Sequence, residues 1–512
     1  MNVGSFWHTP GSGARSPRNA TISNFALPSF CRRHYGRGMT VKSKLSSARI
    51  RTDLEALLGV SATVTDPGRM GAFLNEPRKR FFQTAVAIAL PSHTAEVQKL
   101  ARWANENRVP LIPQGGNTGL VGGQVPVTGN EVIVSLTRMN AIRSVNADAG
   151  NMEVEAGLTL EEAQAAADRA GALLPLTLAS QGSARIGGVL SSNAGGVQVL
   201  AYGNARAMCL GVEAVLADGR IYPGLNALYK DNTGYDLKDL LIGSEGTLAI
   251  LTAATLRLFP RPALHETAWI SVDSPAAAYS LFAHTRDRAW GALTAFELMP
   301  RLGIDLQLKH KTLDRDPAAD MSPWYVLAEL SLSSNKERGT LESILAGAIN
   351  AEIIANAFVA ESLDDRALMW RAREQMSEIQ TREGGSIKHD VSVPVAAVPE
   401  LIERGCAAVA RIDAAIRPCP FGHMGDGNIH FNFTQPEGAD KNTFMAGAEP
   451  VHEAIYNIVQ QLGGSFSAEH GIGQLKTGQM KKSKDPVALE MMRAIKNALD
   501  PNNILNPGKL LD

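Results

Sequence analysis

Long apolar runs, clustered cysteines and a charge excess are all missing from this sequence, and each absence removes a class of protein. No apolar run approaches the ~20 residues of a transmembrane helix. The four cysteines (Cys31, Cys209, Cys406, Cys419) are scattered and form no Cys-x-x-Cys pair. That argues against a zinc knuckle, an iron–sulfur cluster or a secreted disulfide scaffold, and fits a reducing compartment. A net charge of -1 gives no long-range pull toward nucleic acid or anionic lipid. What remains is ordinary globular composition, 45% hydrophobic and 20% charged over 512 residues, enough for two or three domains of ~150 residues.

Acidic residues are absent between Met1 and Arg51, while Arg15, Arg18, Arg32, Arg33, Arg37, Lys42, Lys44, Arg49 and Arg51 are basic. This is transit-peptide composition. Prolines interrupt it, however, and no clean amphipathic helix precedes Met39. Residues 1–50 are therefore read as a disordered basic extension, or as upstream sequence ahead of a start at Met39. The location is read as cytoplasmic, with the mitochondrial matrix as the alternative if the segment is a transit peptide.

The remaining chain divides into 51–262, rich in short strands and glycine turns, 263–435, with longer helices between strands, and 436–512, where a helix runs to a tail. The apolar run Val109 to Pro113 precedes Gln114-Gly115-Gly116-Asn117-Thr118-Gly119-Leu120-Val121-Gly122-Gly123. Glycines at this density leave backbone N–H groups uncovered and form a nest for an anion such as phosphate. The loop matches neither Gly-x-Gly-x-x-Gly nor a Walker loop. Taken alone it reads equally well as a flexible surface loop, but it is not alone. Thr159 and Glu162 form a capping box. Then follow Ser180 to Gly188, Ser191 to Gly196, Asp231 to Asp236 and Ile242 to Leu248, with Asp218-Gly219 as a turn between. Small residues where backbone touches ligand, with polar edges, suit a pyrophosphate joined to a flat ring.

A second cluster lies near the C-terminus. Phe421 to Phe433 reads as a hairpin turning on Asp426-Gly427. A two-residue turn there would place His423 opposite His430, close enough to share a metal at ~2.1 Å, with Asn432 on the same strand face as His430. Two histidines on a hairpin are more often a structural pair. Glu469, beside His470 and glycines, supplies the third ligand that turns the reading toward a divalent metal with open positions.

The ordered set GGNTG, IGG, NAGG, DNTGYDL and GSEGTL resembles the FAD domain of the vanillyl-alcohol oxidase and p-cresol methylhydroxylase superfamily. By motif it is most similar to the FAD-linked D-2-hydroxy-acid dehydrogenases, from about residue 60 to 512. The resemblance implies an α+β fold: a two-subdomain FAD-binding domain, an α+β cap domain with an antiparallel sheet, and a C-terminal segment returning to the FAD domain. It implies non-covalent FAD, since no histidine or cysteine stands near the first glycine loop. The FAD residues it implies are Pro113, Gln114, Gly115, Gly116, Asn117, Thr118, Gly119, Gly122, Gly123, Ser180, Gly182, Ile186, Gly187, Gly188, Asn193, Gly195, Gly196, Gly203, Glu245, Gly246, Ile250 and Asn506. His423, His430 and Glu469 would hold Zn or Mn, and His470 would be the base. Arg373, Ser377 and Lys388, with Asn432, would bind substrate; most lysines and arginines are merely solvated, but arginine suits a bidentate carboxylate.

The implied activity is oxidation of a D-2-hydroxy acid to the 2-oxo acid, with the α-hydrogen passing to flavin as hydride. D-2-hydroxyglutarate is the leading substrate, with D-lactate or glycolate as alternatives. No second redox motif is visible, so the electron acceptor is external: an electron-transfer flavoprotein, a cytochrome or a quinone. A homodimer is left open. Two rival classes are a metal-dependent hydrolase and a flavoprotein without substrate chemistry of its own.

Overall fold

The computed structural model describes residues 41–511, apart from Phe82 and Ala319. Most of the basic N-terminal segment lies outside these residues. Its last part does not: Ser46 caps a helix over Ser47–Leu58, and Ile50 and Leu54 are fully buried in the first core. The ordered fold therefore takes in residues before position 51.

Two sheets build the N-terminal half. The first has the order Thr63–Val64, Ala87–Ala89, Val132–Ser135, Leu111–Gln114, and its last two pairings are parallel. Ala87–Ala89 and Val132–Ser135 are buried along their whole length, as a sheet covered on both faces requires. The second sheet is antiparallel, ordered Ile142–Asn146, Asn151–Glu155, Ile250–Arg257, Cys209–Val215, Ile221–Gly224. The capping box forms as read: the Thr159 hydroxyl accepts from Glu162 N, and Glu162 reaches back to Thr159 N. Its helix covers Leu160–Arg169, and Gly171 turns the chain at φ +78°.

A third, seven-stranded sheet takes every strand between Leu264 and Thr434, all antiparallel, in the order Asn356–Val359, Leu264–Val272, Trp324–Leu332, Leu293–Pro300, Arg417–His423, Asn428–Thr434, Ser386–Ser392. Side chains alternate between its faces. Ala268, Ile270 and Val272 meet the helices Pro275–Ala289, Thr340–Asn350, Val398–Ile412 and Glu449–Gln461. Trp269, Tyr325 and Leu327 point the other way, toward Arg301–Lys309 and Leu363–Glu374. This second face carries the chemistry described below.

The C-terminal segment, read as one unit from 436, divides its packing. Glu449–Gln461 lies on the seven-stranded sheet, whereas residues after the helix Pro486–Leu499 return to the first sheet. Leu505 bridges to Leu111 in parallel, and Leu111 N donates to Ile504 O. The buried Asp500 carboxylate fixes this return by accepting from Ile504 N (3.0 Å), Leu505 N (2.8 Å) and Lys496 Nζ (2.5 Å). Asp500→Ala leaves two backbone donors without their acceptor and the largely buried Lys496 ammonium, still bonded to the Thr247 and Leu505 carbonyls, without its counter-charge. We expect it to lower unfolding free energy by about 3 kcal/mol or more, read from urea midpoints at unchanged m.

Candidate active site

Between the glycine loop and the second sheet lies a cavity of about 490 Å³, within the size range of small-molecule and cofactor sites. Its walls take in Pro113 to Gly119, Gly123, Ser180, Gly187, Gly188, Gly195, Glu245 and Gly246, all positions expected from the motifs. Arg185, Ser191 and Ser192, inside the motifs but not singled out, also line it, as does Gln124 just beyond the glycine loop. A Cβ on Gly188 would meet nothing within 4 Å, so this backbone is open to a ligand. A Cβ on Gly116 would collide with the Ser183 carbonyl, so that glycine is needed for two loops to meet.

The other expected cofactor positions stand behind the wall. Gly122 lies under the Phe81 ring, Gly196 under the Thr177 carbonyl, and Gly182 beside Glu161. Ile186 and Ile250 are core residues. Gly203 ends the turn Val199–Tyr202 at φ +78°. Asn193 accepts from Arg206 N at 2.9 Å. Asn506 donates to Gly123 O (2.9 Å) and Glu245 O (2.7 Å), tying two walls of the cavity together. Asn117, Asn193, Glu245 and Asn506 all hold left-handed backbone (φ +45° to +56°), and a cluster of such residues marks a site whose shape is imposed by its surroundings.

Glu469 and His470 reach the same cavity from the C-terminal region. Their loop is held by two carboxylates. Asp390 accepts from Glu469 N and His470 N, both at 2.9 Å. Glu245 accepts from Ile472 N and Gly473 N, both at 2.7 Å. The hairpin is not the one the sequence suggested. Met424–Asp426 forms a helical turn and Gly427 sits at φ +86°, so the connection is longer than two residues. His423 therefore pairs with Asn428, and His430 pairs with Phe421. The two rings still meet, with centroids 5.3 Å apart. His423 Nε2 is 3.5 Å from Glu469 Oε1, and donor atoms of His423, His430 and Glu469 all lie within 4.8 Å of one another.

Two buried acids that sequence reasoning missed orient this group. Glu297 bonds His423 Nδ1 (2.9 Å) and Arg373 Nε (2.6 Å). Asp390 lies 3.8 Å from His430 Nδ1 and 3.5 Å from His470 Nδ1. Burial opposes charge on both Glu297 and His423, but their pairing prevails, holding Glu297 down to about 2 and His423 up to about 9. Burial drives His430 well below its ordinary value and His470 down to about 4, and lifts Glu469 to about 7. The pocket thus favours positive charge on His423 itself and presents His470 as a neutral base. A carboxylate behind each imidazole is the arrangement by which metal-ligating histidines are fixed in tautomer and direction. Asp390, Glu469 and His470 also bring donors within 4.8 Å, but Asp390 is already occupied, its Oδ2 by the backbone N–H groups of Glu469 and His470 and its Oδ1 by the Asn428 side-chain amide. The His423, His430 and Glu469 set suits a divalent ion better.

Of the expected substrate residues, Lys388 and Ser377 meet directly: Lys388 Nζ donates to Ser377 O (2.6 Å) and lies 3.1 Å from Ser377 Oγ. Asn432 is buried and pairs in register with Lys388. Arg373 is buried against Glu297, its guanidinium 5.1 Å above the Phe421 ring.

Comparison with known proteins places this geometry. Residues 85–223 match the model of an FAD binding domain, and residues 261–510 match that of FAD linked oxidases, C-terminal domain. A probable mitochondrial D-2-hydroxyglutarate dehydrogenase of Oryza sativa subsp. indica is 36% identical over 460 residues, covering 89% of this chain and 80% of the relative. A D-2-hydroxyglutarate dehydrogenase of Xanthomonas citri pv. viticola is 34% identical over 448 residues, covering 88% and 94%. In fold, the chain resembles p-cresol methylhydroxylase with a TM-score of 0.74 at 18% identity, over 90% of this chain and 96% of that one. The fold class and the resemblance drawn from the motifs are borne out. Gly116→Ala should separate the loops that frame the cavity. The expected outcome is protein that purifies without yellow flavin absorbance, checked by its visible spectrum.

Proposed function

The chain belongs to the FAD-linked oxidase family that includes the D-2-hydroxyglutarate dehydrogenases, and from that premise we propose that it oxidises a D-2-hydroxy acid at the meeting of the glycine cradle and the Glu469–His470 loop. It is an FAD-dependent oxidoreductase. The observation that carries the finer reading is that both Glu469 and His470 open into the cavity framed by the FAD motifs. A hydrolase would leave that cradle unused. No histidine or cysteine stands in or beside the glycine loop Gly115 to Gly123, which supports FAD held without a covalent bond.

His423, His430 and Glu469 would hold a divalent ion, Zn or Mn. Bound together, the ion would supply Lewis acidity and the flavin a two-electron acceptor. The protein's own part is binding, orientation and proton transfer. The Asp390 carboxylate faces His470 Nδ1, which favours the proton on that nitrogen and leaves Nε2 to take the hydroxyl proton of the substrate. Lys388, Ser377 and Asn432, on and beside the sheet edge, would hold the acidic end, with Arg373 braced by Glu297 beneath them. A second cationic grip favours a dicarboxylic substrate, so D-2-hydroxyglutarate leads and D-lactate or glycolate follow. Electrons would pass to an external acceptor: an electron-transfer flavoprotein, a cytochrome or a quinone. For location, the mitochondrial alternative agrees with the name of the rice relative.

Anaerobic mixing with a panel of D- and L-2-hydroxy acids should bleach the flavin with D-acids alone, D-2-hydroxyglutarate fastest. Bleaching by L-acids, or by none, would sink the reading. His470→Ala should stay yellow and resist bleaching, whereas wild-type rates in that variant would remove His470 from its role. Chelation should abolish turnover yet leave flavin bound, with recovery on adding Zn or Mn; full activity after verified metal removal would exclude the ion.

A further inference from the structure

The sharp turn after the helix Pro67–Leu74 carries Arg78 and Arg80, and neither belongs to any motif used above. This turn is built and anchored. Buried Glu76 folds its carboxylate back to accept from Arg78 N at 2.6 Å and from Arg80 N. Lys79 takes left-handed backbone at φ +50°, with Lys79 N bonded to Glu76 O. On one side, Asn117 of the glycine loop donates to Ala72 O and Asn75 O. On the other, the Phe81 ring sits against Gly122, where a Cβ would collide with it. Pro77 lines the same cavity as Glu469 and His470. The turn is thus pinned at the cavity mouth, and a half-buried arginine follows Pro77 directly.

The charges facing it are unbalanced. Arg78 lies within electrostatic reach of His470, Asp390, Lys388, Lys476 and Arg80. Lys476 is anchored on Phe466 O (3.2 Å) and Ser467 Oγ (3.0 Å), and Lys388 on Ser377. The acids within that reach are Asp390 and Glu76; Glu76 uses its oxygens on backbone N–H groups, and Asp390 uses its own on two backbone N–H groups and the Asn428 side-chain amide. Among the described residues no carboxylate lies within ion-pair distance of the Arg78 guanidinium. The positive charges of Arg78, Lys388 and Lys476, crowded together, repel one another, and a bound anion relieves that repulsion.

We propose that Arg78 is a substrate-binding residue: from the flavin-domain side it grips the second carboxylate of a dicarboxylic 2-hydroxy acid, opposite Lys388 on the seven-stranded sheet. This rests on the hydroxy-acid reading above and deepens it. The α-carboxylate and hydroxyl belong beside Glu469 and His470; a monocarboxylic acid has nothing left for Arg78, whereas a dicarboxylic acid bridges the two sides.

The test compares two product acids, 2-oxoglutarate and pyruvate, binding to the flavin-loaded protein at constant ionic strength, by titration calorimetry. Wild type should prefer 2-oxoglutarate. In Arg78→Gln the ratio of the two affinities should fall about tenfold or more, the scale of one lost charge-assisted contact. Arg78→Lys should restore part of it, since charge returns without the planar fork. An unchanged ratio overturns the proposal. So does an equal loss for both acids, which would make Arg78 a general attractor, or loss of bound FAD at an unchanged ratio, which would assign it to the cofactor. A wild type without preference overturns it too, while bleaching by D-lactate would leave the hydroxy-acid reading standing.

Discussion

The five residues Glu469 to Gly473 hang between two buried carboxylates, and the geometry of the site depends on that suspension. Asp390, in a strand of the seven-stranded sheet, takes the first two backbone N–H groups; Glu245, in the flavin half, takes the last two. Burying a carboxylate is costly, and charge-assisted N–H bonds are among the few contacts strong enough to offset it. The arrangement also explains the composition of the loop. Gly471 has φ +77° and lies so close to the Glu245 carboxylate that a Cβ would strike it, while Gly473 has φ +52° and presses on the Val121 carbonyl. A side chain at either place would push the loop off its anchors.

Because the same two acids also touch the chemistry, the suspension sets more than position. Asp390 faces both His430 and His470, and Glu245 occupies the cavity wall. The site separates charge over a short span. Glu297, Asp390 and Glu469 make one side receptive to a cation, and Arg78, Lys388 and Lys476 make the other receptive to an anion. A hydroxy acid with a negative end and a hydroxyl to be deprotonated matches that polarity.

The sequence made the cradle readable because its motifs are compact. The glycines of Gly115 to Gly123 stand out within ten residues, although what requires them, the Ser183 carbonyl at Gly116 and the Phe81 ring at Gly122, lies elsewhere in the chain, and Thr159 with Glu162 announces a helix start in four residues. His423 and His430 were readable as partners but not in register. A turn of helix at Met424–Asp426 replaces the two-residue turn that Asp426-Gly427 favours, and sheet geometry brings the rings together across a diagonal. Glu297 carries no motif; its only signal is a lone acid within the wholly buried strand Leu293–Pro300. Arg78 gives less still. Its meaning depends on Lys388, more than three hundred positions away, and only the assembled fold supplies that neighbour.

The bridge between Leu111 and Leu505 has a consequence for biosynthesis. The Lys509 ammonium meets the Val125 carbonyl 384 positions earlier in the chain, and Asn506 holds Gly123 and Glu245. On the ribosome, where earlier segments fold first, the glycine loop emerges long before the residues that brace it. The nascent chain carries this cradle unbraced until the segment holding Asn506 and Lys509 has been made. The braced shape of the cavity is therefore completed late in folding.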